Sequence, residues 1–307
     1  MGFIFPRAQS LIPIFYQQQI KPRFLRKWGS KGQAQGQFGG LGAVAVHPRM
    51  DLVFVADAGN HRMQSFRADG TPLKQWGSKG FDNEQFEYVD DVAIHPARNC
   101  IFVADLHTHR VQVFGFDGSF IRKWDSLHGV RGVAVHPTQD LVYVTAWHSV
   151  NVFTGDGVLL RKWGDKGSGN GEFQDPFGVA VHPTRDLIFI SEHEGHRIQA
   201  FRSDGTFLFK WGCKGSADGQ FLFPGRLSLH PTRDLLFVAD SRNHRVQVFD
   251  LHGFFMYKWG LKGQADGKFL RPHGVSVHPI YDLVYITDDY RVQTFQLFHH
   301  SRKRKRV

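Results

Sequence analysis

Five polar residues lie within six positions of one apolar stretch, VADSRNHRVQVF at residues 238–249. They are Asp240, Arg242, Asn243, His244 and Arg245. A carboxylate, two guanidinium groups, an amide and an imidazole at this spacing are the groups from which binding sites and acid–base catalysts are built. They either form such a site or hold a turn together, and the test is whether they recur elsewhere in the chain.

Two other markers recur along the whole sequence. The dipeptide His-Pro has its histidine at His47, His95, His136, His182, His230 and His278. A Trp followed by Gly or Asp occurs at Trp28, Trp76, Trp124, Trp163, Trp211 and Trp259. Most steps in both series are 48 residues long, and two independent markers with one period indicate six repeated structural units.

Each unit contains four strand-like runs. In the unit that starts at Phe177 they are FGVAVHP, LIFISE, RIQAF and TFLFKWG, separated by turns rich in Gly, Asp and Arg. The runs are apolar on both faces, so each small sheet must be covered on both sides. The sequence therefore predicts an all-β fold, a six-bladed β-propeller with four antiparallel strands (a to d) per blade.

The closure of the ring is also predicted. The sixth unit ends at RVQTFQLFHH without a Trp-bearing d strand, whereas PRFLRKWG, residues 22–29, precedes the first a strand. We expect this N-terminal strand to complete blade six. The predicted organisation is an N-terminal extension at 1–21, the propeller at 22–298 and a basic, disordered tail at 299–307.

The elements PFGVAVHP, LLFVAD, NHRVQVF, DG and KWG resemble NHL repeats over roughly residues 22–297. The resemblance implies a six-bladed propeller. Proteins of this family include substrate-binding domains of TRIM-type ubiquitin ligases, RNA-binding translational repressors, bacterial sensor domains and a few lyases or lactonases, and the fold does not choose among them. Because these 307 residues contain no RING, B-box or coiled coil, we expect only recognition from them in a ubiquitin-ligase pathway.

The polar cluster itself recurs as an acid followed five residues later by Arg. The pairs are Asp57 and Arg62, Asp105 and Arg110, Glu192 and Arg197, Asp240 and Arg245, and, in a shorter turn, Asp288 and Arg291. Blade three has Ala146 and Ser149 instead, so both partners are lost together. A structural ion pair predicts this joint loss, because an unpaired acid in a semi-buried turn is costly. Only Arg242, Asn243 and His244 then remain candidates for ligand contact.

The His-Pro histidines and the recurrent Trp residues are also interpreted as scaffold. Each histidine is followed four residues later by Asp or Asn, which indicates a hydrogen bond within the a–b turn. One histidine per blade does not supply the clustered ligands that zinc requires. The Trp residues are expected to anchor the outer strands.

A ligand-binding face is expected where the long d–a loops meet the b–c turns. The loops repeat WGxKG, and their lysines are Lys31, Lys79, Lys166, Lys214 and Lys262. Together with Arg242 they predict a basic crown for an acidic or phosphate-rich ligand. The alternative is that lysine is merely tolerated in a solvated, Gly-rich turn.

The first residues of the a strands are expected to line the mouth of the channel. They are Leu41, Asp90, Arg131, Phe177, Gly225 and His273. All six differ, and Arg131, Phe177 and His273 offer a cation, an aromatic ring and a donor or acceptor. That set suits single-stranded RNA or a peptide, and the alternative is ordinary loop variation.

Blade three departs from the pattern. Its d–a loop, DSLHGVRG, is about seven residues short, and its b–c turn carries Trp147 and His148. An exposed Trp in a turn either anchors a partner or plugs the gap that the short loop leaves.

An enzyme is the second interpretation. A metal-dependent lyase or lactonase needs several acids, Asn or His at the mouth, where we find Asp90 and His273; His193, Glu194 and His196 form one further possible metal cluster. We therefore expect a non-enzymatic scaffold with no catalytic residues, metal or cofactor. The two cysteines, Cys100 and Cys213, do not support a disulfide framework.

Charge and hydropathy set the remaining expectations. The net charge is +10, and five of the basic residues lie at 302–306, so the tail is a candidate nuclear address or anion-binding tag. No apolar run approaches the roughly 18–20 residues that span a membrane. We expect a monomer, cytoplasmic or nuclear, whose partner is a protein or single-stranded RNA and not a membrane.

Overall fold

The apolar runs of the sequence form β-strands, and the Gly-, Asp- and Asn-rich segments between them form the turns. The computed structural model describes residues 22–125 and 127–297. The predicted N-terminal extension at 1–21 and the basic tail at 299–307 lie outside the described residues. Within the described ranges, no helix is long and apolar enough to cross a membrane.

The strands follow the predicted order a to d in every blade. The a strands are Val44–Val46, Val89–His95, Val130–Val135, Pro176–Val181, Pro224–His230 and Pro272–His278. The b strands are Val53–Asp57, Cys100–Asp105, Leu141–Ala146, Ile188–Glu192, Leu235–Asp240 and Leu283–Asp288. The c strands are Arg62–Phe66, Arg110–Gly115, Ser149–Thr154, Arg197–Phe201, Arg245–Asp250 and Arg291–Gln296. The d strands of blades one to five are Pro72–Trp76, Phe120–Trp124, Leu159–Trp163, Phe207–Trp211 and Phe255–Trp259.

The strands form six four-stranded antiparallel sheets, and the predicted β-propeller is confirmed. The sixth sheet takes its outer strand from the other end of the chain. Arg23–Trp28 pairs antiparallel with Arg291–Gln296, with Trp28 opposite Val292. The ring is therefore closed by hydrogen bonds between the N-terminal strand and the last c strand, as the sequence predicts.

The core lies between the blades, because each sheet buries both faces against its neighbours. The d-strand Trp residues contribute to this packing across blade boundaries. Trp28 of blade six lies 6.2 Å from Phe66 of blade one and covers the c–d turn of that blade, where a Cβ on Gly70 would fall 2.7 Å from the indole. The anchoring role predicted for the Trp residues thus includes contact with the next blade.

The His-Pro histidines make two kinds of hydrogen bond. Nδ1 accepts from backbone N–H groups of its own a–b turn, as when Met50 donates to His47 over 2.8 Å. In three blades Nε2 reaches an aspartate of the following blade, in the pairs His95–Asp140 at 3.0 Å, His182–Asp234 at 3.3 Å and His230–Asp282 at 2.7 Å. The prediction of a bond confined to the turn is therefore incomplete, because these pairs also join neighbouring blades.

The acid–arginine pairs of the b–c turns are confirmed as ion pairs. The N···O distances are 2.8 Å for Asp57–Arg62, 3.8 Å for Asp105–Arg110, 2.5 Å for Glu192–Arg197, 2.7 Å for Asp240–Arg245 and 2.8 Å for Asp288–Arg291. The acids are fully buried. Since a buried carboxylate without a partner is destabilising, each turn that keeps the acid must keep the arginine.

Each arginine also binds the d–a loop that leads into its own blade. In blade five, Arg245 donates to the carbonyl oxygens of Ser216, Ala217 and Gln220 at 2.7–2.9 Å. Asp240 accepts from the backbone N–H of Leu222 at the end of the same loop, over 2.8 Å. We call this unit of buried acid, arginine and bound loop the brace.

Blade three lacks the brace and the loop together. Ser149 stands where the other blades have the arginine. Its hydroxyl donates to the carbonyl oxygen of Ala146, 3.1 Å away, and accepts from the amide of Asn151 over 3.2 Å. The loop that an arginine would hold is the short segment before Val130. The missing acid, the missing arginine and the short loop are thus one structural change.

We predict that Arg62→Met lowers the free energy of unfolding by about 3–5 kcal/mol, because it leaves Asp57 buried without its cation. Arg67→Met is the matched control, since Arg67 pairs with Asp51 on the surface at 3.6 Å with both side chains more than half exposed. That change should cost about 1 kcal/mol or less. Denaturant unfolding of both variants measures the difference, and equal losses would contradict a structural role for the brace.

Candidate functional site

The d–a loops and the b–c turns meet on one face of the propeller. Asn60 in the first b–c turn donates from Nδ2 to the carbonyl oxygen of Gly32 in the first d–a loop, over 2.9 Å. The a–b turns that carry the His-Pro pairs lie at the opposite ends of the strands. The long connections therefore gather on one side, which we call the loop face.

The five long loops share one backbone structure. Each lysine of the WGxKG motif pairs in a short parallel bridge with a phenylalanine seven residues later, as in Lys214 with Phe221. That phenylalanine is fully buried. Gly212 has φ +94°, and a Cβ there would fall 2.6 Å from the ring of Phe221, so only glycine fits before the loop. The five lysines are exposed at equivalent positions around the loop face.

The centre of the ring is closed by an ion cluster. Arg226 in the a strand of blade five is 3% exposed and lies 2.8 Å from a carboxylate oxygen of Asp90 and 3.1 Å from one of Asp91. Both acids belong to blade two, on the far side of the axis. The guanidinium also lies 4.2 Å from the centre of the Phe177 ring, so the side chains of blades two, four and five meet here.

The predicted mouth residues surround this cluster and are mostly covered. Asp90 is bound to Arg226, and Phe177 is 2% exposed between Arg226, His193 and His273. Arg131 lies 3.4 Å from Asp175 and 5.3 Å from the Phe177 ring. Leu41 and Gly225 bring no polar side chain. The structure thus brings Arg131, Phe177 and His273 together. They are packed around Arg226 in a cluster that we call the plug.

The cross-axis pair was not identified from the sequence, although a signal was present. The residue after each mouth position is Gly42, Asp91, Gly132, Gly178, Arg226 or Gly274. Glycine is required by crowding, since a Cβ on Gly132 would fall 2.3 Å from the carbonyl oxygen of Phe177. The two exceptions, Asp91 and Arg226, lie in opposite blades and have opposite charges. An ion pair across the axis produces this pattern.

Burial shifts the pKa values of the groups in the plug. Desolvation lowers the pKa of His193 and of His273 to about 4, and the nearby Arg226 adds to both shifts. Desolvation raises the pKa of Asp91 to about 6, with Arg226 acting in the opposite direction. The histidines are therefore neutral at physiological pH and serve as packing and hydrogen-bonding groups.

A basic groove of about 450 Å³ lies between the b–c turn of blade five and the loop into blade six. It is lined by Leu222, Arg242, His244, Lys262, Leu270, Arg271 and Asp289. Arg242 lies over the ring of Phe223 at 4.5 Å. The structure thus brings the predicted residues Arg242 and Lys262 together, and it adds Arg271. Asn243 is a scaffold residue, because its amide donates to Asp240 and to the carbonyl oxygen of Gly215, each over 2.9 Å.

A second cavity of about 350 Å³ lies in blade three beside Trp147, His148 and Lys166. The indole of Trp147 is 60% exposed. The alternative in which Trp147 plugs the gap left by the short loop therefore does not describe the structure, since the cavity stays open. The remaining lysines, Lys31, Lys79 and Lys214, line neither this cavity nor the basic groove.

The possible metal cluster of blade four does not form a ligand set. His193 stacks on Phe177 with ring centroids 4.8 Å apart, and Nδ1 of His196 accepts from the backbone N–H of Phe223 over 3.1 Å. Across residues 22–125 and 127–297, no group of three or more His, Cys, Asp or Glu side chains is arranged to hold a metal ion.

The comparison with known families agrees with the repeat pattern. The family model of the NHL repeat matches residues 221–249, which hold the a, b and c strands of blade five. The chain is a six-bladed β-propeller with an NHL repeat at residues 221–249. The match includes Asp240 and Arg245, so the acid and the arginine of the brace lie inside the matched repeat, whereas most of the loop that they hold precedes it. No curated protein matches the sequence.

We predict that the NHL propeller loses stability as the pH falls from 6.5 to 4 through His193 and His273. Their folded pKa values lie below the unfolded value of about 6.5, so the unfolded chain takes up more protons in this window. For each histidine a shift of this size corresponds to about 3 kcal/mol of stability that is present at pH 7 and missing at pH 4.

The variant His193→Phe tests this contribution through the difference in unfolding free energy between pH 7 and pH 5. The difference should shrink in the variant, whatever its absolute stability. Asp91 acts in the opposite sense because its folded pKa is raised, but it is present in both proteins and cancels. An unchanged pH dependence would show that the histidine is solvated in the folded state.

Proposed function

We propose that this NHL propeller is a non-enzymatic scaffold whose loop face binds an acidic segment of a partner protein. The observation that carries the proposal is the basic groove, where Arg242, Lys262 and Arg271 surround one space with the single carboxylate of Asp289. Grooves lined by one sign of charge attract ligands of the other. Leu222 and Leu270 give the groove apolar walls, as protein-binding sites have.

A protein partner is favoured over single-stranded RNA by the burial of the predicted stacking residue and by the exposed apolar side chains of the loops. Reading of single-stranded RNA depends on rings with a free face on which bases stack. Phe177, the predicted stacking residue, is buried under Arg226 and His193. The exposed apolar side chains Leu261, Phe81 and Trp147 lie in or beside the loops and suit contact with apolar residues of a peptide.

An enzyme remains the alternative class, and the packing of the plug does not favour it. Asp90, Arg131 and His273 are engaged with each other or with Phe177. None of the three lines the axial cavity of about 340 Å³ that the a strands of the six blades surround. A role as the recognition part of a ubiquitin-ligase pathway stays a prediction that the family resemblance implies. It requires that a second protein supply the catalytic step.

The direct test is binding of a fluorescent peptide of Glu and Ser to the full chain and to Arg271→Glu. The charge reversal should weaken binding by about tenfold or more at low salt, because it places a carboxylate in the groove. Arg49→Glu is the control of equal net charge, since Arg49 is exposed in an a–b turn on the opposite face. It should leave the affinity within about twofold.

Three results decide the outcome. Equal loss in the two variants, or wild-type binding no tighter than that of a Gln and Ser peptide, would contradict the proposal. If single-stranded oligouridine binds and loses affinity in Arg271→Glu while the peptide does not bind, RNA is the partner class instead. RNA contacts would also give a steep dependence of the affinity on salt.

A further inference from the structure

The cavity in blade three occupies the place that the brace and its loop fill in the other five blades. Its lining includes Ala146, Ser149, Asn151 and Lys162. In strand register, Ala146 and Ser149 correspond to the acid and the arginine of blade five, Asp240 and Arg245. Asn151 corresponds to Gln247 of the c strand, and Lys162 corresponds to Lys258, the penultimate residue of the d strand. The cavity is therefore the exact counterpart of a filled site.

In blades four, five and six the loop supplies partners for the penultimate d-strand residue. Lys258 pairs with Asp218 of the loop into blade five, and Lys27 pairs with Asp266 of the loop into blade six at 2.7 Å. Lys210 donates to the carbonyl oxygen of Ser168 over 3.0 Å. Lys162 faces the cavity where such a loop would lie, and it makes no hydrogen bond or ion pair with any residue of 22–125 or 127–297.

The charge of the cavity selects the ligand. In five blades a guanidinium fills the corresponding place and pairs with a buried acid. In blade three Ala146 stands in place of that acid, so a guanidinium here would have no buried carboxylate to pair with. The charged groups in the lining are Lys162, Lys166 and Asp165, with His128 and His148 as further hydrogen-bonding groups. A carboxylate is thus better matched than a cation, as it is for Lys258 and Lys27.

The walls of the cavity are held by hydrogen bonds. Trp147 donates its backbone N–H to the carbonyl oxygen of Gly129 over 3.2 Å, and Gly129 donates to Nδ1 of His109 in blade two over 3.0 Å. The ring of His128 lies 6.0 Å from that of Trp147. The exposed indole is thereby fixed at the rim, where it offers a large apolar surface at small entropic cost.

We propose that an acidic segment of a partner protein occupies this cavity in place of the missing loop, with a carboxylate on Lys162 and an apolar side chain on Trp147. The inference rests on the proposed function, since it assigns a second contact for the same class of partner on the loop face. It differs from the basic groove in its residues, its blade and its requirement for an aromatic anchor.

The experiment is a selection from a random peptide display library on the immobilised full chain, followed by affinity measurements with the enriched peptides as synthetic probes. Two variants address the cavity. Lys162→Glu reverses its cation, and Ala146→Asp with Ser149→Arg restores the acid and arginine and fills the space. Lys123→Glu is the matched control, because Lys123 is the exposed lysine at the same d-strand position of blade two.

The proposal expects enriched peptides that contain Asp or Glu beside an apolar residue. Their affinity should fall by about tenfold or more in Lys162→Glu and in the refilled variant, and should stay within about twofold in Lys123→Glu. Thermal unfolding of each variant shows whether the propeller is intact, and the refilled variant covers the case in which Lys162→Glu does not fold.

Enriched peptides without acidic residues, no enriched peptide at all, or equal affinity for the wild-type and both cavity variants would overturn the proposal. The same peptides measured on Arg271→Glu separate the two sites. If peptide binding depends on Arg271 but not on Lys162, the proposal of a blade-three site is rejected, whereas the proposed function is supported. Binding of single-stranded RNA that is lost in Lys162→Glu, without peptide binding, would overturn both.

Discussion

A buried carboxylate must have a cation beside it, and this requirement organises the loop face of the propeller. The acid at the end of five of the six b strands is fully buried, so the arginine that follows it is held in one position. Its remaining N–H groups point at the carbonyl oxygens of the d–a loop and fix that loop over its own blade. The loops in turn carry the exposed lysines, so the proposed binding surface depends on the five ion pairs beneath it.

The two ends of the propeller are consequently specialised. On the His-Pro side, histidines and aspartates link neighbouring blades, as in His95 with Asp140 and His230 with Asp282. On the axis, Arg226 joins blade five to blade two and borders a cavity of about 340 Å³ that the a strands surround. Both sets of contacts are used to hold the ring together. The surface that we propose for recognition is the loop face, with its basic groove and the open cavity of blade three.

Features that repeat were predictable from the sequence, because six copies of a pattern separate what the fold requires from what varies. The four strands per blade, the closure by residues 22–29 and the acid–arginine pairs were all predicted in this way. The brace was predicted only as a turn, however, since its arginine binds carbonyl oxygens nearly 30 residues earlier, as in the pair of Arg245 and Ser216. Because every residue has a backbone carbonyl group, residue types do not reveal which carbonyl oxygens accept these hydrogen bonds.

Features that occur once were harder to predict. Arg226 pairs with Asp90 and Asp91 across the axis, and such a pair appears in the sequence only as two exceptions to a column of glycines. Phe177 was expected to be accessible because it begins a strand, whereas the cations and histidines around it bury its ring. The blade-three cavity joins residues of a turn, a d strand and a shortened loop. Its residues were each unusual in sequence, but their common space required the structure.

The most direct test of the account is amide hydrogen exchange in Arg245→Met. If the brace holds the loop, the amides of Gly215, Gln220 and Phe221 should exchange about tenfold faster or more, while amides of the adjacent b strand, such as Val238, keep their protection. Unchanged protection at these loop amides would contradict the account, because the loop would then be held by its own turns and by Phe221 alone.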